Sequence, residues 1–192
     1  MGLRLSLLYF VLFVFLLGFA ESDDTSTQLL KGINDYRAGL NLSLLTENSN
    51  AACLAEQLAK QFKGQECSNT TGSDTVPGTE EQFPNYMDFL NHCHLNATVT
   101  QDAEVMPACV PGLTPDLVLT NFTKSQYNEY LNDTKYAGVG IADEGNWVVV
   151  VLSTDTPTGN FSPASGSSWA AAISPCHQLL LLLLGCLFLL MI

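Results

Sequence analysis

Apolar segments at both ends of the chain limit which residues can form a folded domain. Near the start, Arg4 precedes an unbroken apolar run over residues 7–17, and small residues follow around Ala20. A positive charge, an apolar run and small residues at the cleavage point are typical of a secretory signal peptide. We therefore expect residues 1–20 to be removed, with cleavage as late as residue 22, and the mature protein to begin near Glu21.

The apolar tail over residues 179–192 predicts a lipid anchor. It is shorter than the roughly 20 apolar residues of a membrane-spanning helix, and the last basic residue of the chain is Lys135. Three small residues at 165–167 precede it, separated by a spacer over 168–178. Small residues, a spacer and an apolar tail of these lengths form a glycosylphosphatidylinositol (GPI) attachment signal. We expect the lipid on Ser165, with Gly166 as the alternative, and removal of residues 166–192. A single-pass tail anchor is the competing interpretation, and the signal peptide argues against it.

Residues 21–165 remain as one extracellular domain, long enough to bury a core. All 19 acidic residues lie in this region, against six Lys and Arg residues. Such a charge repels nucleic acid and anionic headgroups, so neither is expected as a partner. The expected location is the extracellular face of the plasma membrane, with the GPI lipid as the membrane contact. The partners considered are a transmembrane co-receptor, through which any signal would pass, and a cell-wall component.

Four cysteines of the domain, Cys53, Cys67, Cys93 and Cys109, predict two disulfides in an oxidising compartment. Three pairings are compatible with the sequence. We favour Cys53–Cys109 with Cys67–Cys93. A zinc site is the alternative for a four-cysteine set, but no C-x-x-C pair occurs among them.

The domain is also dense in N-x-S/T sequons, which predict N-glycosylation and therefore positions away from the core. The six candidate sites are Asn41, Asn69, Asn96, Asn121, Asn132 and Asn160.

Apolar periodicity predicts two long helices in the first half of the domain, over residues 27–40 and 50–62. The caps expected at their starts are Ser26 or Thr27 and Asn48 or Ser49. The second helix is rich in alanine, which indicates close packing against a neighbour. Shorter helices are predicted within residues 86–95, from Thr114-Pro115 onward, and within 125–133.

The spacing of apolar residues no longer follows a helical period after residue 136. Residues 137–142 and 147–154 flank a turn and predict a β-hairpin. The run from Val148 to Leu152 does not alternate, so we expect this strand to be covered on both faces. Prolines at 107, 111 and 115 predict an irregular stretch before the hairpin.

Particular residues resemble the CAP superfamily, also called SCP-like, which includes plant pathogenesis-related proteins. The resemblance rests on Ile33-Asn34-Asp35-Tyr36-Arg37 in the first helix, an Ala-rich helix ending near Cys67, and a closing Thr156-Pro-Thr-Gly-Asn-Phe161. It covers roughly residues 27–161 and implies an α+β fold, an α-β-α sandwich around a mostly antiparallel sheet. With its end segments, the chain resembles a small group of plant GPI-anchored proteins still more.

Typical CAP domains resemble one another in a cavity of two His and two Glu, and this sequence departs from that pattern. Residues 119–124 stand where a G-H-x-T-Q element is expected, and residues 68–70 where the first histidine would fall; neither contains histidine. The resemblance therefore implies that metal-dependent chemistry has been lost.

Other chemistry has little support in the sequence. His92 and His94 flank Cys93 and could ligate a metal, although two surface imidazoles beside a disulfide explain them as well. No G-x-S-x-G element occurs, and no acidic pair stands out as a glycosidase pair. We therefore expect a non-catalytic module without a cofactor that binds a lipid, a peptide or a glycan. The alternative is a wall-facing hydrolase that uses acidic residues.

Overall fold

The centre of the fold is a four-stranded sheet that lies between two layers of helices. A computed structural model describes residues 24–67 and 85–163. The predicted signal peptide, Asn69 and the attachment residues Ser165 and Gly166 lie outside the described residues. The helices are α1 (Thr25–Gly39), α2 (Ser49–Phe62), α3 (Tyr86–His92), α4 (Pro115–Thr123) and α5 (Asn128–Leu131), with 3₁₀ turns at Ala97–Thr100 and Pro111–Leu113. The strands are β1 (Thr46–Glu47), β2 (Glu104–Cys109), β3 (Tyr136–Glu144) and β4 (Trp147–Thr154).

The strand order is β1-β3-β4-β2. β3 and β4 form the predicted hairpin, and β2 pairs antiparallel to β4. β1 is parallel to β3 and meets it only at Gly138 and Val139. The sheet is thus mostly antiparallel, as expected.

Both faces of β4 are buried, which confirms the prediction made from its unbroken apolar run. Val148, Val150 and Leu152 pack with α1, α4 and α5 on one face, whereas Val149 and Val151 pack with α2 and α3 on the other. Successive side chains of a strand point to opposite faces, so a strand covered twice needs apolar residues at every position.

The two long helices follow their predicted ranges within a residue or two. α2 is capped by Asn48, as predicted, whose side chain accepts from the N–H groups of Asn50 and Ala51. α1 is capped by Asp24, which lies two residues before the predicted Ser26 and three before Thr27. The Asp24 carboxylate accepts from Thr27 N–H at 2.8 Å, which a Ser or Thr inside the helix could not do.

The prediction of an irregular stretch at Pro107 was wrong, since β2 runs from Glu104 to Cys109. β2 is an edge strand, and Pro107 alternates with the residues that bond to β4. Its missing N–H therefore costs the ladder nothing. The Tyr127 hydroxyl donates to the Pro107 carbonyl at 2.8 Å, so this outward-facing carbonyl has a partner.

The favoured disulfide pairing was also wrong, although the described residues form two disulfides, as predicted. The bonds are Cys53–Cys93 and Cys67–Cys109. α2 and α3 cover the same face of the sheet, which brings Cys53 beside Cys93 at the end of α3. The chain after α2 returns to the sheet, where Trp147 Nε1 donates to the Gln65 carbonyl, and Trp147 is the register partner of Cys109.

Within residues 24–67 and 85–163, no helix is long and apolar enough to cross a membrane.

Candidate functional site

The Asn34-x-x-Arg37 element of α1 fixes the loops around the start of the sheet. Arg37 is fully buried and donates to four carbonyl oxygens, those of Ser43, Leu131, Asp133 and Tyr136, at 2.6–3.3 Å. Burial lowers the pKa of this guanidinium, and the nearby Asp133 charge opposes that shift. Five fixed donors make arginine suited to collecting several carbonyls at once. The sequence motif therefore has a structural role here.

Asn34 sets the position of β1 from the same helix. Its amide donates to the Leu45 carbonyl at 3.0 Å and accepts from the Leu45 N–H at 2.8 Å. Leu45 immediately precedes β1, so this two-way bond fixes where the short strand meets β3. β1 then stops at Glu47, because the next residue, Asn48, caps α2.

α2 packs against β3 at unusually close range. A Cβ atom on Gly140 would overlap the backbone of Ala51 and Ala52, so only glycine permits this approach. Asn48 adds hydrogen bonds from its amide to the Ser153 hydroxyl and the Asn160 carbonyl, both at 3.3 Å. The alanine-rich helix is therefore packed closely against a neighbour, as predicted.

These contacts leave a groove between the start of α1, the end of β1, α2 and β3. It is open to solvent, has a volume of about 440 Å³, and continues into a smaller cavity of about 180 Å³ beside Asp24. The volume lies within the range of about 300–1,000 Å³ that is typical of ligand sites. We call it the α1/α2 groove; it is lined by Ser26, Glu47, Ser49, Ala52, Cys53, Glu56, Ile141, Ala142 and Asp143.

The α1/α2 groove is acidic. Glu47, Glu56 and Asp143 line it, Asp24 lines the adjoining cavity, and no Lys or Arg lines either. Glu56 is paired with Lys60 one turn further along α2. Burial raises the pKa of Asp143, and the charges of Asp24 and Glu144 raise it further. The groove therefore has a negative potential that a cation would relieve.

This groove was missed at the level of sequence. The prediction treated Asp143 and Glu144 as part of a turn, but they are the last residues of β3, and the turn consists of Gly145 and Asn146. Acidic residues at the end of an apolar strand were the available signal. The sequence did not reveal the register of β1 on β3, and therefore not the point at which β1 ends along it.

None of the predicted glycosylation sites that the structure describes is buried, and none lines the groove. Asn41, Asn96 and Asn132 are exposed; Asn121 and Asn160 are half-buried. The glycosylation of all six sites remains a prediction.

The residues weighed for metal chemistry do not come together. In the part of the chain that the structure describes, no group of three or more His, Cys, Asp or Glu residues is arranged to hold a metal ion. His92 and His94 are exposed on either side of the Cys53–Cys93 disulfide. Residues 119–124, where the superfamily pattern would place a histidine, lie mostly in α4, and Leu119 packs against Gly32 of α1.

Comparison with known proteins places this arrangement in a family. The model of the uncharacterized GPI-anchored protein At5g19230-like domain matches residues 26–152. The chain belongs to this family. A relative from Arabidopsis thaliana, the uncharacterized GPI-anchored protein At3g06035, is 52% identical over 164 residues, which cover 84% of this chain and 82% of the relative. Membership of a GPI-anchored family implies attachment at the cell surface.

A solved structure supports the CAP, or SCP-like, fold. An extracellular protein containing an SCP domain from Bacillus anthracis aligns with a TM-score of 0.50 at 18% identity, covering 67% of this chain and 39% of that one. A cysteine-rich secretory protein from Staphylococcus aureus aligns with a TM-score of 0.48 at 13% identity, over 70% of this chain and 39% of that one. This chain thus spans about two fifths of either bacterial chain. At such identities the first alignment shows the fold and nothing further.

Proposed function

We propose that this protein is a GPI-anchored, N-glycosylated binding module on the extracellular face of the plasma membrane, without catalytic activity. Its ligand is a lipid, a peptide or a glycan. The mature chain comprises residues 21–165, with the lipid on Ser165; Gly166 is the alternative attachment residue. A transmembrane co-receptor or a wall component is the partner through which it acts.

The observation that carries this proposal is the α1/α2 groove. Its walls are fixed by hydrogen bonds from the side chains of Asn34 and Asn48 to backbone carbonyls and by the close contact at Gly140. A concave site with fixed walls suits recognition, because little ordering is needed when a ligand binds. The family name supports the anchor, and the end segments of the sequence support processing at both ends.

The anchor is tested by treating intact cells that display the protein with phosphatidylinositol-specific phospholipase C. The expected result is a soluble product whose mass, after removal of N-glycans, matches residues 21–165 with two disulfides and the residual glycan core of the anchor. A protein that stays with the cells and keeps residues 179–192 would contradict the proposal.

The attachment site is tested by replacing Ser165 and Gly166 together with a bulky residue such as tryptophan. The expected result is retention inside the cell, because the attachment signal needs small residues at this point. The matched control is Ser174→Trp, which lies in the spacer beyond the small-residue positions of either candidate site and should leave surface display unchanged. Normal display of the double variant would show that the lipid is attached elsewhere.

A hydrolase that uses acidic residues is the second candidate, because Asp143 lies in a groove and its pKa is raised by burial. Raised carboxyl pKa values are typical of general acids. An activity against cell-wall polysaccharides that Asp143→Asn abolishes would favour the hydrolase over the binding module.

A further inference from the structure

The two edges of the sheet differ in whether they can accept another strand. On the outer edge of β2, Pro107 has no N–H, and its carbonyl is bonded to Tyr127. Cys109, two residues further on, is tied to Cys67. Pro107 therefore interrupts the row of donors and acceptors that an added strand would need along this edge, which disfavours strand addition there.

The opposite edge is open over part of its length. Among the described residues, β1 covers β3 only at Gly138 and Val139, and the bond from Asn48 N–H to the Val139 carbonyl, at 2.8 Å, is the last one along this edge. Backbone groups of a strand alternate between its two sides. Because Val139 points away from β4, the N–H and carbonyl groups of Ile141 and Asp143 point the same way. In the described part of the chain no strand lies beside them.

The open edge faces the α1/α2 groove, since Ile141, Ala142 and Asp143 form its floor. α2 lies on one side of it, and Ser26 of α1 lies on the other. An extended chain in the groove would therefore face the backbone N–H and carbonyl groups of Ile141 and Asp143, which β1 does not cover. None of the described sequons lines the groove, so glycans attached there would not occupy it.

The charge of the groove selects among extended chains. Asp24, Glu47 and Asp143 form no ion pair with another described residue, and no basic side chain lines the groove or the adjoining cavity. Side chains of an added strand alternate between the α1 side and the α2 side. Lysine or arginine at alternate positions would reach these carboxylates, whereas an acidic segment would be repelled.

We propose that the uncovered edge of β3 at Ile141–Asp143 is a docking site for an extended segment of another protein that carries Lys or Arg side chains. The segment adds a strand to the sheet between α1 and α2, with main-chain hydrogen bonds giving affinity and the acidic groove giving specificity. This inference rests on the proposed binding function and names the class of its ligand.

The test uses the chain expressed in full in eukaryotic secretory cells and purified with its natural processing and glycans. The probe is a fluorescent ten-residue peptide of alternating Lys and Val, and binding is measured by fluorescence anisotropy. Saturable binding is expected. A peptide of alternating Glu and Val should bind at least about tenfold more weakly, because like charges face each other across the groove.

Strand addition is separated from simple charge attraction by N-methylation. Two versions of the Lys-Val peptide are made, one methylated on every Lys amide and the other on every Val amide. An added strand bonds to β3 through every second residue, so one version should lose binding and the other should keep it. Equal binding by both versions would overturn strand addition, because attraction by charge alone does not distinguish them.

The protein side is tested with the double variant Glu47→Gln, Asp143→Asn. It should bind the Lys-Val peptide about tenfold more weakly than the parent. Glu129→Gln, an exposed acid on α5 away from the groove, is the matched control and should bind as the parent does. If no peptide binds but lipid or glycan arrays still retain the protein, the docking site is wrong and the binding function stands. If nothing is retained, both are wrong.

Discussion

Replacing Arg37 with methionine should destabilise the domain strongly, although the side chain touches no ligand. The guanidinium is completely buried, and its hydrogen bonds to Leu131 and Tyr136 are themselves buried. Methionine fills the space of the aliphatic stem but cannot donate. The variant Arg37→Met therefore leaves four carbonyls without this partner, one in the loop after α1 and three within residues 131–136.

The size of the destabilisation follows from the carbonyl oxygens that lose their hydrogen-bond donor. A buried acceptor left without a partner costs about 1–3 kcal/mol, and two are fully buried here. Part of this loss is offset because methionine, unlike arginine, brings no charge into the core. We expect a decrease of about 2–4 kcal/mol in the free energy of unfolding, or roughly 10 °C in the melting temperature of a domain of this size.

The assay is urea unfolding followed by tryptophan fluorescence with both disulfides intact, since Trp147 is buried in the core. The control is Lys31→Met on the same helix, where Lys31 is exposed and forms an ion pair with Asp35. Its transition should match that of the parent. A loss below about 1 kcal/mol in the free energy of unfolding for Arg37→Met would contradict this role of Arg37, because the carbonyls would then have other partners.

Three further outcomes follow from the structure. Gly140→Ala should cost about 3 kcal/mol or more in the free energy of unfolding because its Cβ would overlap α2, whereas Gly39→Ala, with open space around it, should be neutral or slightly stabilising. Asp143→Asn should stabilise the domain at neutral pH, and the gain should vanish below about pH 4. Peptide mapping without reduction should recover Cys53–Cys93 and Cys67–Cys109; any Cys53–Cys109 peptide would contradict the fold.

The sign of the Asp143 prediction follows from its raised pKa. Between the ordinary carboxyl pKa and the raised one, the folded state binds more protons than the unfolded state, so stability falls as the pH rises through that interval. Asp143→Asn replaces the titrating carboxyl with an amide and so removes this loss of stability. Unfolding midpoints of parent and variant, measured across the acid range, should converge at low pH; a constant gap would point to a cause other than ionisation.

Local patterns were enough to predict the helices and the hairpin. α1 and α2 follow from helical spacing of apolar residues, and the unbroken run at Val148–Leu152 indicated a strand covered on both faces. These features depend on neighbours within a few residues. The Asn34 and Arg37 motif was visible as a resemblance, but its bonds reach partners up to 99 residues away. Its structural role could only be seen in the fold.

Features that depend on register or on distant contacts were not predictable. β1 has two residues, and β2 contains a proline, so neither shows the strand pattern. The disulfide pairing depends on which helices share a face of the sheet. The open edge depends on β1 stopping after Glu47, which follows from Asn34 holding Leu45 and Asn48 capping α2.

An unpaired edge strand usually makes a β-sheet prone to self-association. The open edge of β3 is nevertheless compatible with a stable surface protein. β3 is held by β4 along its length and by α2 through the contact at Gly140, so the edge is ordered before any partner arrives. A segment that adds to it therefore bears only its own ordering cost. A second copy of this chain brings the same Glu47 and Asp143 to the contact, and like charges oppose that pairing. The acids that attract a basic segment thereby also disfavour self-association through this edge.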